Sequence, residues 1–287
     1  MHKILKKGGN RENMNTSTQN KKNYKTIINQ YYKKAVEREY LDSIEVDRAN
    51  NDVSAVIFYD DCKIVIPFDE LDANIPPKLK NQPLSLDTKI ESATRLMGSK
   101  LPFIVESFDK NTSIVKASRK KALDILRNSK DYKVGDTVKA QVIDITNSFA
   151  FAEFDGYIGL IQIRDVAPTR VFNIKDYLNK GNEYEFKILN MNPDKKSCDL
   201  SRKVLCKSPF KEFVIEKKMY KKNSIYAGTV KFANENFFMV ELRKGLNIAV
   251  NYPVTRDVEI FVGKEVVVRI NRIQENKERL SGQLLSD

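Results

Sequence analysis

Five short β-rich segments within residues 137–201 constrain the fold more than any other feature of this sequence. Each segment is rich in Val, Ile, Phe or Leu and ends at turn-forming residues such as Asp155-Gly156, a pattern that is typical of strands. A long connection over 165–180 separates the third segment from the fourth. The predicted strands are residues 137–145, 148–154, 157–163, 183–191 and 197–201. This order predicts a small five-stranded barrel with a long loop after its third strand.

Less regular versions of the same plan lie on both sides of this unit. Short strings recur at intervals of roughly 80 to 95 residues, which is the mark of an internal repeat. The recurring strings are 64–71 with 160–166, and 117–120 with 200–203 and 279–282. We therefore predict a mainly β protein of tandem five-stranded OB-type barrels over 42–129, 130–206 and 224–287, with a helical linker over 207–223.

The N-terminal part has a different composition. Residues 1–23 are polar and basic with almost no apolar content, which predicts a disordered basic arm. Over 24–41 apolar residues recur at steps of three and four, which predicts a short amphipathic helix. The sequence has neither the apolar core of a secretory signal nor a membrane-length apolar run, so we expect a cytoplasmic protein without membrane contact.

The residue types that most catalytic sites require are scarce. His2 is the only histidine, and the three cysteines, Cys62, Cys198 and Cys206, are far apart in the sequence. Zinc sites of the Cys/His kind and histidine-dependent catalysis are therefore not expected. No glycine-rich phosphate loop occurs either. We expect no enzyme activity, no catalytic residues, no cofactor and no metal.

The positive charge is concentrated at the two ends of the chain. The formal net charge is +12 and the isoelectric point is about 9.4. Residues 1–40 carry ten Lys and Arg against three Asp and Glu, and residues 206–287 carry fifteen against ten. Such a balance favours polyanions as partners, although a basic surface can also serve solubility alone.

The middle unit resembles the RNA-binding OB domain named after ribosomal protein S1. The resemblance is clearest over 131–205 and extends in degenerate form over about 42–287. It rests on a Val134-Gly135 opening, on Gly159-Leu160 in the third strand and on a Leu-Ser-Arg-Lys close at 200–203. The resemblance implies an OB fold that binds single-stranded RNA on the outer face of strands two and three, where two Phe and a His contact bases.

This sequence departs from the family pattern at several of those positions. In the second unit Ser148 replaces the first Phe, Phe151 keeps the second, and Gln162 replaces the His. The first unit has no aromatic residue at these positions, so we expect it to bind RNA poorly and to dock a protein instead. The third unit places Phe237 and Phe238 between the two aromatic positions, and only one of these neighbours can face outward.

The candidate RNA-binding residues are of three kinds. Phe149, Phe151 and Phe237 could stack on bases, and Gln162 could hydrogen-bond a base edge. The candidate phosphate contacts are Lys139, Arg164, Lys195, Lys196, Arg202, Arg243 and Lys244. The alternative is that the rings belong to the barrel cores and that the polar side chains are ordinary solvated groups.

These residues favour a single-stranded RNA-binding protein that acts in translation or RNA handling through several weak barrels. Single-stranded DNA fits the same chemistry. The first barrel would dock the ribosome or another protein assembly. The alternative function is a non-enzymatic structural or protein-interaction subunit of a larger assembly, such as a ribosome, polymerase or phage-type particle, whose barrels have largely lost RNA binding.

Overall fold

The mainly β class is confirmed. The structure, a computed structural model, describes residues 24–59, 62–73, 83–192, 196–253 and 258–286. Within those ranges the chain has sixteen strands and four α-helices. The basic arm predicted over 1–23 lies outside the described residues.

The first unit is built on a six-stranded sheet rather than the expected five-stranded barrel. Its elements are α1 (Tyr24–Lys33), β1 (Glu37–Tyr40), β2 (Ser43–Asp47), β3 (Asp52–Tyr59), β4 (Cys62–Pro67), α2 (Phe68–Leu71), α3 (Leu86–Thr94), β5 (Lys100–Asp109), β6 (Ile114–Ser118) and α4 (Arg119–Ser129). The strand order is β1-β5-β6-β4-β3-β2. The edge strands β1 and β2 are only two residues apart in the chain, so the sheet must bend round on itself. β1 pairs with β5 and β2 pairs with β3. Together they take the place that a single first strand has in the other two units.

The helix predicted over 24–41 is too long. It ends at Lys33, and Lys34 has a left-handed backbone with φ of 47°. Residues Glu37–Tyr40 instead form β1, which pairs antiparallel with β5 at Phe103 to Lys100. These pairings satisfy the backbone of β1, and tertiary hydrogen bonds of this kind override a helical pattern in the sequence. The first unit therefore begins before residue 42.

The second and third units are the expected five-stranded closed barrels. Their strands are β7 (Thr137–Ile145), β8 (Phe149–Phe154), β9 (Tyr157–Gln162), β10 (Glu183–Asn192) and β11 (Ser197–Ser201), then β12 (Ile225–Ala233), β13 (Phe237–Arg243), β14 (Leu246–Asn251), β15 (Glu265–Gln274) and β16 (Arg279–Ser286). The barrel orders are β10-β11-β9-β8-β7 and β12-β13-β14-β16-β15. In both barrels the first strand pairs with the second and fourth, and the third pairs in parallel with the fifth. A short π-helix, Lys211–Glu216, lies in the linker between them.

Alternating apolar residues fill each barrel. On β8 the inward residues are Ala150, Ala152 and Phe154, and on β13 they are Phe238 and Val240. Burying a large apolar side chain contributes about 1.5–3 kcal/mol, so the side-chain alternation is strongly fixed. A slip of one residue would turn the whole set outward. The core therefore determines which residues of β8 and β13 face the surface.

Three general features of the described residues bear on function. No helix among them combines the length and the apolar character needed to cross a membrane. Within the same residues, no group of three His, Cys, Asp or Glu side chains is arranged to hold a metal ion. Burial, with the charge of Asp199, raises the pKa of the Cys198 thiol to about 12, which keeps that thiol protonated.

Candidate nucleic-acid interface

The two aromatic candidates of the second barrel face away from its core. Phe149 and Phe151 alternate on β8 with the buried Ala150 and Ala152. The Phe149 side chain is 39% exposed and Phe151 is half-buried. Since successive strand residues point to opposite faces, the two rings share the outer face of β8.

The strand register brings a polar side chain beside these rings. Phe149 pairs with Gln162 and Phe151 pairs with Leu160 across β8 and β9, and directly opposed residues have Cβ atoms about 5 Å apart. Arg164 follows in the short helical turn Ile163–Asp165, and its side chain is 75% exposed. We call Phe149, Phe151, Gln162 and Arg164 the barrel-2 face. It combines rings, an amide and a guanidinium, the groups that contact single-stranded nucleic acids.

The first unit covers the other end of this face. Glu153 also points outward from β8, but it forms an ion pair with Arg119 of α4. Arg119 is only 1% exposed and also donates hydrogen bonds to the carbonyl oxygens of Leu71 and Asp72, at 2.7 and 2.9 Å. A ligand can therefore reach the outer face of β8 from the Phe149 end and not from the Glu153 end.

Phe151 lies between the covered and the open end. It lines a cleft of about 50 Å³ together with Arg95 and Leu96 of the first unit. Ser92 of the first unit, with Ile143 and Asp144 of the second barrel, completes the cleft. A volume of this size holds water rather than a nucleobase. Stacking on Phe151 would thus require its ring edge to be reached from the side of Phe149.

Further contacts join the first unit to the second barrel. The Gln141 Oε1 atom accepts a hydrogen bond of 3.0 Å from the Lys100 backbone nitrogen, and its Nε2 atom donates to the Gly181 carbonyl oxygen at 3.0 Å. A Cβ atom at Gly181 would lie 2.7 Å from the Gly98 carbonyl oxygen. We call this contact region, with the Arg119–Glu153 pair, the first seam.

Asp155 forms a second group of contacts at the first seam. It accepts hydrogen bonds from the Tyr132 hydroxyl at 2.6 Å and from Arg38 Nη2 at 3.1 Å. Burial alone would raise the pKa of Asp155, but the Tyr132 hydrogen bond, the Lys130 charge and the Arg38 hydrogen bond together lower it. The carboxylate is therefore ionised in the folded protein at neutral pH.

Several predicted cations lie away from the barrel-2 face. Lys139 lies on β7, where it pairs with Glu185 of β10. It is five residues along β7 from Asp144, the partner of Phe151, which corresponds to roughly 17 Å. The Lys196 ammonium lies 3.4 Å from Asp124 at the first seam. The Arg202 guanidinium lies over the Tyr184 ring at 5.5 Å. Lys195 lies outside the described residues. Of the cations predicted in this barrel, Arg164 is the nearest in sequence to Gln162, and its Nε atom lies 3.7 Å from Asp165 Oδ2.

In the third barrel the predicted residues separate. Phe238 is fully buried, and Phe237 faces outward and is half-buried. The Arg243 guanidinium lies 4.3 Å from the centre of the Phe213 ring of the linker. The Lys244 ammonium lies 5.5 Å from the Tyr177 ring of the second barrel. Arg243 and Lys244 thus help to join the units instead of forming one patch with Phe237.

The long connection after β9 packs on the third barrel, and we call this contact the second seam. The Asn247 Nδ2 atom donates to Thr169 Oγ1 at 3.3 Å and to the Arg170 carbonyl oxygen at 3.4 Å. Phe172 stacks on Phe232 with ring centres 5.6 Å apart and an angle of 16°. The Phe237 ring follows at 5.9 Å from Phe232.

Sequence reasoning missed three residues of the second seam, Arg170, Phe172 and Phe232. Arg170 and Phe172 lie in a connection without regular pattern, and Phe232 lies near the end of β12. The one available signal was the occurrence of an arginine and a phenylalanine two residues apart in a polar loop. Nothing in that signal indicates a partner ring about sixty residues away.

The second barrel has the closed five-stranded architecture of OB-type barrels. Residues 131–203, which include all five strands of the second barrel, match the S1 RNA binding domain. The domain resemblance stated from the sequence is thereby confirmed.

Longer stretches of the chain are similar to known proteins. The chain is 27% identical over 200 residues to small ribosomal subunit protein bS1 of Coxiella burnetii (strain RSA 493 / Nine Mile phase I), with 65% of this chain and 36% of that protein covered. A stretch of 154 residues is 29% identical to 4-hydroxy-3-methylbut-2-enyl diphosphate reductase of Clostridium tetani (strain Massachusetts / E88), covering 50% of this chain and 24% of that protein. A chain in the a/eIF2alpha-aDim2p-rRNA complex from Pyrococcus horikoshii OT3 is 34% identical with a TM-score of 0.26, covering 31% of this chain and 55% of that chain. The chain thus spans about a third of the length of the bS1 relative.

Proposed function

We propose that this chain is a non-enzymatic, cytoplasmic protein that binds single-stranded RNA and acts in translation or RNA handling. The observation that carries the proposal is the outward Phe149–Gln162 pair, with the exposed Arg164 two residues further along the chain, in a barrel that matches the S1 RNA binding domain. A ring can stack on a base, an amide can read a base edge, and a guanidinium can hold a phosphate. The similarity to ribosomal protein bS1 supports the same function.

The affinity would come from more than one weak contact. The barrel-2 face is narrow because the first unit covers its Glu153 end. Linked weak sites raise the effective concentration of each other without a single tight site. The first unit would contribute through a protein partner such as a ribosome component, since it has no aromatic residues at the RNA-contact positions and exposes Tyr32 and Phe58 on its own surface.

The test uses a fluorescent single-stranded RNA of about 20 nucleotides, which is long enough to contact two barrels. The protein is titrated into this RNA at two salt concentrations, and binding is measured by fluorescence anisotropy. Phe149→Ala should weaken binding by roughly 1–3 kcal/mol because one base loses its stacking partner. Binding should also weaken as salt rises, since phosphate contacts release counterions. A DNA oligonucleotide of the same sequence measures the preference for RNA.

The matched control is Phe58→Ala, which removes an exposed phenylalanine from β3 of the first unit. We expect this variant to bind RNA within about twofold of the wild type, since a surface change away from the contacts has little effect. No RNA binding, or binding that vanishes at moderate salt and ignores Phe149→Ala, would favour the alternative of a structural assembly subunit.

A further inference from the structure

Arg170 is an exposed cation that the second seam holds in one place without neutralising it. Its guanidinium lies 5.3 Å from the centre of the Phe172 ring and 5.4 Å from that of Phe232. Among the residues that the structure describes, the guanidinium has neither an ion-pair partner nor a hydrogen-bond acceptor. Its five N–H donors therefore remain available to a ligand. By contrast, the ammonium of Lys231, the residue before Phe232, lies 3.5 Å from Glu241 and 4.0 Å from Asp176.

The three rings at this seam form one continuous cluster from two barrels. Phe172 comes from the second barrel, and Phe232 and Phe237 come from the third. All three rings are half-buried, whereas Phe238, which belongs to the core of the third barrel, is fully buried. Part of the surface of these three rings is thus open to solvent. A purely structural contact would bury that surface. Open rings beside a free guanidinium are suited to stacking with planar ligands.

We propose that the second seam is a binding site for single-stranded RNA, in which the Phe172–Phe232–Phe237 cluster stacks on an unpaired base and Arg170 binds the adjoining phosphate. The proposal rests on the proposed function but adds a site that lies between two barrels. Arg170 and Phe172 belong to the long connection of one barrel, and Phe232 belongs to the first strand of the next.

Charge and chemistry at the seam favour RNA as the occupant. Arg170 and Lys244 are exposed cations there, and Lys231 adds a third positive charge against Asp176 and Glu241. Burial, with the charges of Glu241 and Asp176, raises the pKa of Tyr177 to about 12, so its phenol adds no negative charge at neutral pH. Single-stranded RNA presents phosphates and bases in alternation. A guanidinium can bind one phosphate while a neighbouring ring stacks on the next base.

The first test measures the affinity of the full chain for a single-stranded RNA of about 20 nucleotides. The variants are Arg170→Gln, which removes the charge, Arg170→Lys, which keeps the charge without the planar group, and Phe172→Leu, which keeps apolar packing without the ring. We expect Arg170→Gln and Phe172→Leu each to lose about tenfold in affinity, and Arg170→Lys to lose less. The matched control is Arg48→Gln, an equal charge change in an exposed turn of the first unit, which should change affinity less than about twofold.

The second test identifies the contact on the wild-type chain, so that a variant that fails to fold cannot obscure the result. The RNA carries 5-iodouridine, which crosslinks to aromatic side chains under near-ultraviolet light, and the crosslinked peptides are found by mass spectrometry. We expect crosslinks within 169–173 or 231–238. If the wild type binds RNA but Arg170→Gln behaves like Arg48→Gln and the crosslinks lie only around Phe149, the second-seam site is wrong and the proposed function stands. If the wild type binds no RNA, the proposed function and this site are both wrong.

Discussion

The two seams that join the three units use different chemistry. The first seam is closed by the buried Arg119–Glu153 ion pair and by a hydrogen bond from the Lys100 main chain to Gln141. The second seam is held by half-buried rings, by cations over those rings and by the long hydrogen bonds of Asn247. Buried charge pairs tolerate little rearrangement because an unpaired partner is left without solvent. Stacked rings with free edges can exchange one planar neighbour for another.

This difference indicates a division of roles. The first seam fixes the first unit on the second barrel and limits how much of the β8 outer face a ligand can reach. The second seam leaves a cation and aromatic surface open between two barrels. On the two proposals above, RNA would contact the Phe149 end of the barrel-2 face and the second seam. Substitutions at each seam test this difference between the two seams.

The largest effect is expected for Arg119→Met at the first seam. The change leaves the Glu153 carboxylate and the carbonyl oxygens of Leu71 and Asp72 without their buried partner, which costs about 3–5 kcal/mol. Urea unfolding measures the loss. Lys63→Met, which breaks a partly exposed ion pair with Glu45 within the first unit, is the control and should cost no more than about 0.5 kcal/mol. Equal losses for the two variants would contradict the structural role of the first seam.

A glycine pair compares the two environments directly. Gly181 and Gly263 precede the fourth strands of the two barrels with φ of 84° and 97°. Gly181→Ala should cost roughly 2–4 kcal/mol, because the strained backbone adds to a clash with the Gly98 carbonyl oxygen. Gly263→Ala meets open space and should cost only about 1 kcal/mol. Thermal unfolding of both variants decides whether the first unit is packed on Gly181.

Asp155→Asn tests the hydrogen bonds of the first seam with a smaller effect. Asn keeps the left-handed backbone that Asp155 adopts but removes the charge, which should cost about 1–2 kcal/mol at pH 7. Since folding lowers the pKa of Asp155, the wild-type carboxylate stabilises the fold above its unfolded pKa near 3.8 and loses this contribution as pH falls through the lowered folded pKa. The gap between wild type and variant should therefore shrink below about pH 4. A gap that is constant from pH 7 to pH 3 would contradict the role of the charge.

The smallest effect is expected for Asn247→Ala at the second seam. Its hydrogen bonds to Thr169 and Arg170 are long, and its buried Oδ1 atom has no hydrogen-bond partner among the described residues. Removing the amide should change the free energy of unfolding by no more than about 0.5 kcal/mol. A loss above about 1.5 kcal/mol would show that the second seam is as strongly built as the first.

The sequence predicted the parts of the fold that rest on local alternation. The alternation of apolar and other residues on β8 was enough to place Phe149 and Phe151 on one face. It was not enough for Glu37–Tyr40, where the neighbouring apolar spacing also fits a helix. That segment becomes a strand because β5, some sixty residues away, supplies its hydrogen-bond partners.

The residues of the candidate site also fall into two groups, those that a local sequence pattern predicts and those that depend on how the units pack together. The neighbourhood of Phe149 and Gln162 follows from strand register, which a pattern of barrel strands predicts. Glu153 has the sequence context of a solvated strand residue, and only the docked first unit buries it against Arg119. The stack of Phe172 on Phe232 depends on how two barrels pack, and this packing is not encoded in either local pattern.

Hydrogen–deuterium exchange of the full chain, alone and saturated with a single-stranded RNA of about 20 nucleotides, shows whether RNA contacts the second and third barrels and leaves the first seam unchanged. Amide exchange reports which segments a ligand stabilises. We predict slower exchange in the bound state over 148–151, 160–164, 169–173 and 231–239, with no change at the first seam over 98–101, 118–123 and 153–155. Slower exchange at the first seam, or no change in the second and third barrels, would contradict the account.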